Sequence, residues 1–285
     1  MEVITLVKDF QDFLKKMRQN QESLGFVPTM GALHQGHTSL IDASRTGGNS
    51  TIVSIFLNPL QFEPSEDLET YPKDLERDIA ICQAQGADVV FCPSYEEIYQ
   101  SGEANSISPG KIAEIFEGRI RPSHFSGVAT VLLRLFGIVG ASSAYFGEKD
   151  FQQIVVVKNL VKEFRLPIEI IPCPTIREKD GLALSSRNVY LSLEERSEAP
   201  VLYRALSAAA KEIVRGEQDT KYLSSLVESI IKKESKGRLD YVGIVYEETF
   251  ASPTCLDQSG KSVRILIACT FGEARLIDNI GVVIP

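Results

Sequence analysis

Short β-branched and apolar runs alternate with helical patterns from residue 24 to residue 171, and that alternation restricts the chain to few architectures. Leu24-Gly25-Phe26-Val27-Pro28, Thr51-Ile52-Val53-Ser54-Ile55-Phe56, Asp88-Val89-Val90-Phe91, Ala144-Tyr145-Phe146 and Ile168-Glu169-Ile170-Ile171 read as strands. The second is a β-branched run of the kind buried on both faces of a parallel sheet. Between the strands, residues 38–43 and 154–164 read as helices, as does a stretch with Leu75, Ile79 and Cys82 at helical spacing. Val128, Val131, Leu132, Leu135 and Val139 mark a further amphipathic helix. Strand and helix in turn predict an α/β fold with a doubly wound parallel sheet.

The pattern changes after Pro172 and Pro174. Residues 194–215 read as one long Ala-rich helix and residues 220–236 as a second. Residues 240–246 and 263–268 read as strands joined by a polar loop, with a last short strand near the C-terminus. The expected division is a domain of residues 1–175 and a smaller C-terminal α+β domain of residues 176–285.

A net charge of −8 argues against general nucleic-acid binding, which needs a basic surface to neutralise phosphates. No apolar stretch is long enough to span a bilayer, and the first residues carry no basic region or cleavage signal. Five scattered cysteines without a Cys-x-x-Cys pair fit buried thiols in a reducing cytoplasm better than disulfides or zinc.

Three histidines are present, and two of them stand in Met30-Gly31-Ala32-Leu33-His34-Gln35-Gly36-His37, between a strand and a helix. Ligands of open parallel sheets gather at that edge, and a helix N-terminus offers unpaired N–H groups to an anion. His34 and His37, one turn apart, face the same way; the alternative is a pair of surface or helix-capping histidines. Zinc would need a ligand cluster the chain does not display.

Asn58 and Gln61 follow the second strand and bring amides to the sheet edge, although an Asn-Pro turn also accounts for Asn58. Arg119, Arg121 and His124 precede a helix, where Arg121 could grip a carboxylate in a bidentate fork or lie in a solvated basic loop. Lys149, in Gly147-Glu148-Lys149-Asp150, opens a helix where its charge opposes the dipole, so it fits an anion neighbour or an ordinary surface loop. Ser185, Ser186 and Arg187 follow a glycine turn and read either as a phosphate clamp or as a serine-capped hinge. Ser259-Gly260-Lys261-Ser262 is no P-loop, because Cys255 stands where its first glycine belongs. No Gly-x-Gly-x-x-Gly supports a nicotinamide site.

The His-x-Gly-His segment resembles that of the nucleotidyltransferase superfamily. Six ordered blocks between Pro28 and Leu191 narrow the resemblance to the pantoate–β-alanine ligase family: PTMGALHQGH, NPLQF, YP, RPSHFSGVATV, YFGEKDFQQ and DGLALSSRNVYL. One departure is Lys73 after Tyr71-Pro72, where arginine is common; charge is kept but the planar fork is lost.

The resemblance implies a Rossmann-like first domain that binds nucleotide and pantoate, with the C-terminal domain closing over the site. It implies that ATP activates pantoate as pantoyl adenylate, which β-alanine then converts to pantothenate and AMP. In that scheme His34, His37, Lys149 and Arg187 are catalytic. Ser185 and Ser186 join them on the triphosphate, and Met30, Gly31, Gly147, Asp150, Ile176 and Leu184 complete the ATP site. Gln61 and Gln153 orient pantoate, with Met30 against its methyl groups. Asn58, Tyr71, Arg121 and His124 lie towards the amine or pyrophosphate. Magnesium accompanies ATP, with Asp78 as its family-like ligand, although Asp74 shares that helix face and a solvated surface fits equally. A homodimer in the cytoplasm, with no nucleic-acid or membrane partner, completes the expectation.

Overall fold

In the computed structural model, which describes residues 1–64, 66–99 and 105–285, neighbouring residues of one strand feed two different cores. Phe26 and Ile52 belong to one apolar cluster with Phe10, Phe91, Val128, Leu132 and Ile154, whereas Val27 and Val53 belong to another with Ile41, Val90 and Tyr145. Successive strand side chains point to opposite faces, so both faces of the sheet are covered.

Contacts divide the chain into two compact units, Met1–Pro174 and Thr175–Pro285. The first holds six parallel strands: β1 (Glu2–Ile4), β2 (Leu24–Thr29), β3 (Ser50–Ile55), β4 (Val89–Phe91), β5 (Ser143–Gly147) and β6 (Glu169–Cys173). Their order across the sheet is β1-β4-β3-β2-β5-β6. The helices of this unit are α1 (Val7–Gln19), α2 (Gln35–Thr46), α3 (Leu75–Ala84), α4 (Tyr95–Ile98), α5 (Glu117–Ile120), α6 (His124–Val139) and α7 (Phe151–Glu163). The alternation read from residue 24 omits β1 and α1. In α1, Phe10, Leu14 and Met17 are buried at helical spacing, and Phe10 stacks on Phe91 with ring centroids 4.2 Å apart.

The second unit carries α8 (Leu193–Glu198), α9 (Val201–Val214) and α10 (Thr220–Glu234). Its antiparallel sheet is β7 (Arg238–Tyr246), β8 (Ser262–Phe271) and β9 (Ala274–Val283), in that order. Leu202, Leu206 and Ile213 of α9 and Leu223, Val227 and Ile231 of α10 share one apolar cluster with Ile265 and Ile267. Two expectations are corrected. The single helix over residues 194–215 is two helices, because Pro200 has no N–H to continue the ladder and its ring crowds the preceding turn. The last strand is ten residues long, paired with β8 from Ser262↔Val283 to Phe271↔Ala274.

Candidate active site

The strand order reverses beside β2: β3, β4 and β1 lie to one side of it, β5 and β6 to the other. Loops leaving the carboxyl ends of β2 and β5 therefore diverge and open a crevice, the usual ligand position of such sheets. The histidine segment follows β2, and Gly147 ends β5, with Glu148 to Asp150 directly after it.

The loop after β2 turns through two left-handed residues, Gly31 at φ 90° and Ala32 at φ 52°. The second lacks glycine's freedom and is held there from outside. Asp78 of α3 does the holding: its two carboxylate oxygens accept the N–H groups of Ala32 and Leu33, each at 2.8 Å. Asp78 is only 1% exposed. Burial raises its pKa while the two main-chain donors oppose the rise. It is therefore no solvated surface residue. Each oxygen already holds one main-chain donor of the loop that precedes the histidines. Asp74, its alternative, caps α3 by accepting the N–H of Arg77 at 3.0 Å.

At the start of α2 the histidines form a reciprocal cap. His34 Nδ1 accepts the N–H of Gly36 at 3.1 Å, and His37 Nδ1 accepts the N–H of His34 at 3.2 Å. A Cβ on Gly36 would stand 2.8 Å from His34 Cε1, so a side chain there would displace the ring. A nitrogen that accepts carries no proton, so each neutral ring bears its proton on Nε2. Burial pushes the pKa of His34 down to about 4, helped by the charge of Lys149. Burial, then His34 and Lys149, push His37 down to about 3. The ring centroids lie 4.2 Å apart, and no described residue accepts a bond from either Nε2–H. Capping and chemistry are thus one arrangement: the cap uses Nδ1 and leaves two neutral donors. Lys149 lies near enough for its charge to act on both rings. Arg77, which no sequence pattern marked, also acts on His34.

Sequence expectation and geometry differ most on the loop after β3. Asn58 is 1% exposed and fully used. Its Nδ2 donates to Gln61 Oε1 at 3.1 Å and to the Gly127 carbonyl at 3.2 Å. Its Oδ1 accepts from Tyr99 Oη at 2.8 Å and from the Leu60 N–H at 3.3 Å. Two protons and two lone pairs are all this amide has, so Asn58 is corrected from substrate ligand to the residue that fixes Gln61. Gln61 in turn points Nε2 at Met30 Sδ, 2.6 Å away, which joins the two residues expected around pantoate.

Arg121 does make a bidentate pair, but with the protein's own Glu66. Its Nη2 lies 2.8 Å from Glu66 Oε2, its Nε bonds Glu66 Oε1, and Nη2 also reaches the Gln61 carbonyl at 3.3 Å. That carboxylate occupies the fork expected to face substrate. His124, in the first turn of α6, has its Nδ1 2.8 Å from the same Gln61 carbonyl. A carbonyl only accepts, so Nδ1 carries the proton and His124 is the opposite tautomer to the other two histidines. Burial and the Arg121 charge push its pKa down to about 4. Tyr71 is buried edge-on against Phe62, with centroids 5.8 Å apart.

After β5, residues 148–150 form a 3-10 turn into α7, where Lys149 Nζ stands 3.9 Å from Asp150 Oδ1. Of the two glutamines that follow, Gln152 is committed to the 112–117 segment, bonding the carbonyls of Ile112 and Ile115 and the N–H of Glu117. Gln153 makes no such bond among the described residues.

In the second unit, Ile176 and Leu184 face each other across a short antiparallel hairpin, with the Leu184 N–H 2.9 Å from the Ile176 carbonyl. Ser185 caps the 3-10 turn of residues 186–190 by accepting the Arg187 N–H at 3.3 Å. Arg177, unmarked in the sequence, braces the hairpin. Its guanidinium forks onto Asp278 at 2.6 and 2.8 Å and lies over the Tyr203 ring. A partner 101 residues away leaves no local pattern to read.

A family profile described as pantoate-beta-alanine ligase matches residues 2–281. The pantothenate synthetase of Caldicellulosiruptor bescii is 48% identical over 99% of each chain, and that of Aquifex aeolicus is 46% identical over 96% of each. The chain belongs to the pantoate–β-alanine ligase family. Among solved structures, pantothenate synthetase from Thermus thermophilus is similar at a TM-score of 0.90 and 43% identity, covering 98% of this chain and 99% of that one. The ligase from Francisella tularensis, described as complexed with beta-gamma ATP and β-alanine, is similar at 0.78 and 37%, covering 98% and 97%. The family's activity is ATP-dependent ligation of pantoate and β-alanine to pantothenate through pantoyl adenylate, and this chain is such a ligase.

Proposed function

We propose that the histidine pair performs the adenylation half of this ligation as two neutral hydrogen-bond donors. The observation that carries the reading is the reciprocal cap, which fixes both rings with Nε2–H available. Pantoate is a carboxylate, and its oxygen is a poor leaving group until activated. One carboxylate oxygen attacks the α-phosphorus of ATP, the bond from that phosphorus to the bridging oxygen breaks, and pyrophosphate leaves. Negative charge grows on phosphate oxygens in that step. Donors fixed beforehand stabilise it without reorganising, each worth about 10²–10³ in rate. Lys149, Ser185, Ser186 and Arg187 bind the triphosphate, and Gly31, Gly147, Asp150, Ile176 and Leu184 line the rest of the nucleotide site. Gln61 and Gln153 orient pantoate, with Met30 against its methyl groups, and Tyr71 walls the amine side.

In the second half the β-alanine nitrogen attacks the acyl carbon, the acyl–phosphate bond breaks and AMP leaves, the departing phosphate or solvent taking the N–H proton lost as the amide forms. The amine must arrive without its proton, at a cost of ~4–5 kcal/mol at pH 7 for a lysine-like ammonium. His34 and His37 already hold a proton at Nε2 and cannot take another there. His124, with its pKa pushed down to about 4, is too weak a base to gain much. We infer that β-alanine enters as the free amine, its proton passing to solvent.

Magnesium belongs to this proposal as an ion carried in on the nucleotide phosphates, where it offsets their charge. No step here depends on a protein ligand for it. Pantoate, ATP and β-alanine are the proposed substrates, a homodimer the proposed assembly and the cytoplasm the proposed location, the last supported by five free cysteines. Pyrophosphate–ATP isotope exchange tests the central claim. Exchange should require pantoate, and nicotinate or phosphopantetheine should not replace it; exchange without any acid would overturn it. Sedimentation tests the dimer.

A further inference from the structure

Asp78 is a carboxylate buried beside a site built to receive phosphate, and its presence there needs a reason. Two like charges brought close repel, so a buried acid next to an anion site is unfavourable unless it supplies something else. What it supplies is visible in its bonds. Its oxygens take the consecutive N–H groups of Ala32 and Leu33, immediately before His34, at 2.8 Å each. Ala32 is one of five described non-glycine residues with positive φ, a conformation that costs of order 1 kcal/mol or more and persists only where the surroundings impose it. Gly31, at φ 90°, has Asp78 Oδ2 3.0 Å from the position a Cβ would take. The chain is thus bent onto Asp78 directly before the helix whose cap sets both imidazoles. α3 brings nothing else of this kind to the loop: Asp74 is spent on its own helix end.

We propose that Asp78 is a positioning residue for adenylation, acting through the Ala32 and Leu33 amides to set the two Nε2–H donors. The proposal rests on the reading of His34 and His37 given above. In Asp78→Asn one acceptor becomes an NH2 group facing a main-chain N–H, so the loop loses one anchor while side-chain volume is kept. A misplacement of about 1 Å in a catalytic group costs on the order of 10²-fold.

The test measures three quantities on the full chain: pantoate-dependent pyrophosphate–ATP exchange, amide formation from supplied pantoyl adenylate, and ring 15N shifts of the three histidines. For Asp78→Asn, exchange should fall about 10–100-fold in kcat with KM for ATP little changed. Amide formation should fall less, and the His34 and His37 nitrogens should move while those of His124 stay. Gly31→Ala, which crowds the same carboxylate from the loop side, should give the same division between the half-reactions and the same ring shifts, with KM for ATP left out of the comparison because Gly31 also lines the nucleotide site; it carries the test if Asp78→Asn does not fold. Equal losses in both half-reactions, unchanged exchange, or exchange restored by raising magnesium would overturn the proposal, the last by making Asp78 a metal ligand. Should His34→Ala itself leave exchange intact, the histidine reading fails instead.

Discussion

His37 accepts the main-chain N–H of His34 through Nδ1, so the second histidine of the pair fixes the backbone on which the first is mounted. The His34 ring accepts from Gly36 in the same way, which makes each ring both a cap and a donor. Replacing either residue with alanine should lower adenylation by ~10²-fold or more. Amide formation from pantoyl adenylate should suffer less, and folding stability should fall by about 0.5–2 kcal/mol through the lost cap. Half-reaction assays and urea denaturation check both; equal losses in the two half-reactions contradict the assignment.

Both rings are held neutral by burial, and so is His124. Their folded pKa values of about 4, 3 and 4 lie below the unfolded value of 6.5, so between those limits the unfolded chain binds more protons. Stability contributed by these residues is full above pH 6.5 and is lost as pH falls towards about 4 for His34 and His124 and about 3 for His37. Denaturation midpoints should decline through that window, and NMR titration of the ligand-free protein should show no imidazole inflection near 6.5. An inflection there for His34 or His37 would show an ionisable ring and remove the neutral-donor reading.

At Gly127 of α6 a Cβ would lie 2.1 Å from the Leu60 carbonyl oxygen and 2.5 Å from the Gln61 nitrogen, both backbone atoms. Gly127→Ala improves helix propensity by about 1 kcal/mol, yet it should destabilise the protein, because forcing a methyl into a packed contact costs about 1–3 kcal/mol and strains the turn further. Moving that turn moves Gln61, so KM for pantoate should rise. Denaturation and steady-state kinetics with varied pantoate report the two effects; a more stable variant with unchanged KM would refute the close approach.

Asn58→Ala leaves the Tyr99 hydroxyl, the Gly127 carbonyl and the Gln61 amide without the partner they share. The Gly127 carbonyl keeps its place in the α6 ladder, whereas the Tyr99 hydroxyl and the Gln61 side-chain oxygen, left unpaired, cost about 1–3 kcal/mol each. The variant should therefore lose stability heavily and lose pantoate affinity through Gln61, with KM for β-alanine changed little. A selective rise in KM for β-alanine at native stability would restore Asn58 as a substrate ligand.

The sheet was legible because burial on two faces demands continuous apolar runs, and residues 51–56 and 88–91 carry them plainly. The histidine segment was legible because its residue types and spacing suit both a cap and an anion site. What escaped was the partner of each polar group. Asn58, Arg121 and His124 belong to sequence blocks that point to the site, yet their hydrogen bonds run to Gln61, Glu66 and the turn between β3 and α3. A sequence displays which groups need partners, not whether substrate or protein supplies them. Asp78 is the same case in reverse: as one of two acids on a helix it read as solvated or metal-bound, and only the fold reveals the two amides it serves. Pro200, by contrast, is a plain break signal inside the run that reads as one helix, and the chain breaks there.

β2 is flanked in the sheet by β3 on one side and β5 on the other, and β5 lies far downstream in the chain. During synthesis the histidine loop therefore emerges well before Lys149 and waits beside a strand whose second edge is open. Hydrogen-bonding groups along that edge are available to any passing strand until residues 143–147 arrive. The same docking event that protects this edge of β2 also delivers Lys149.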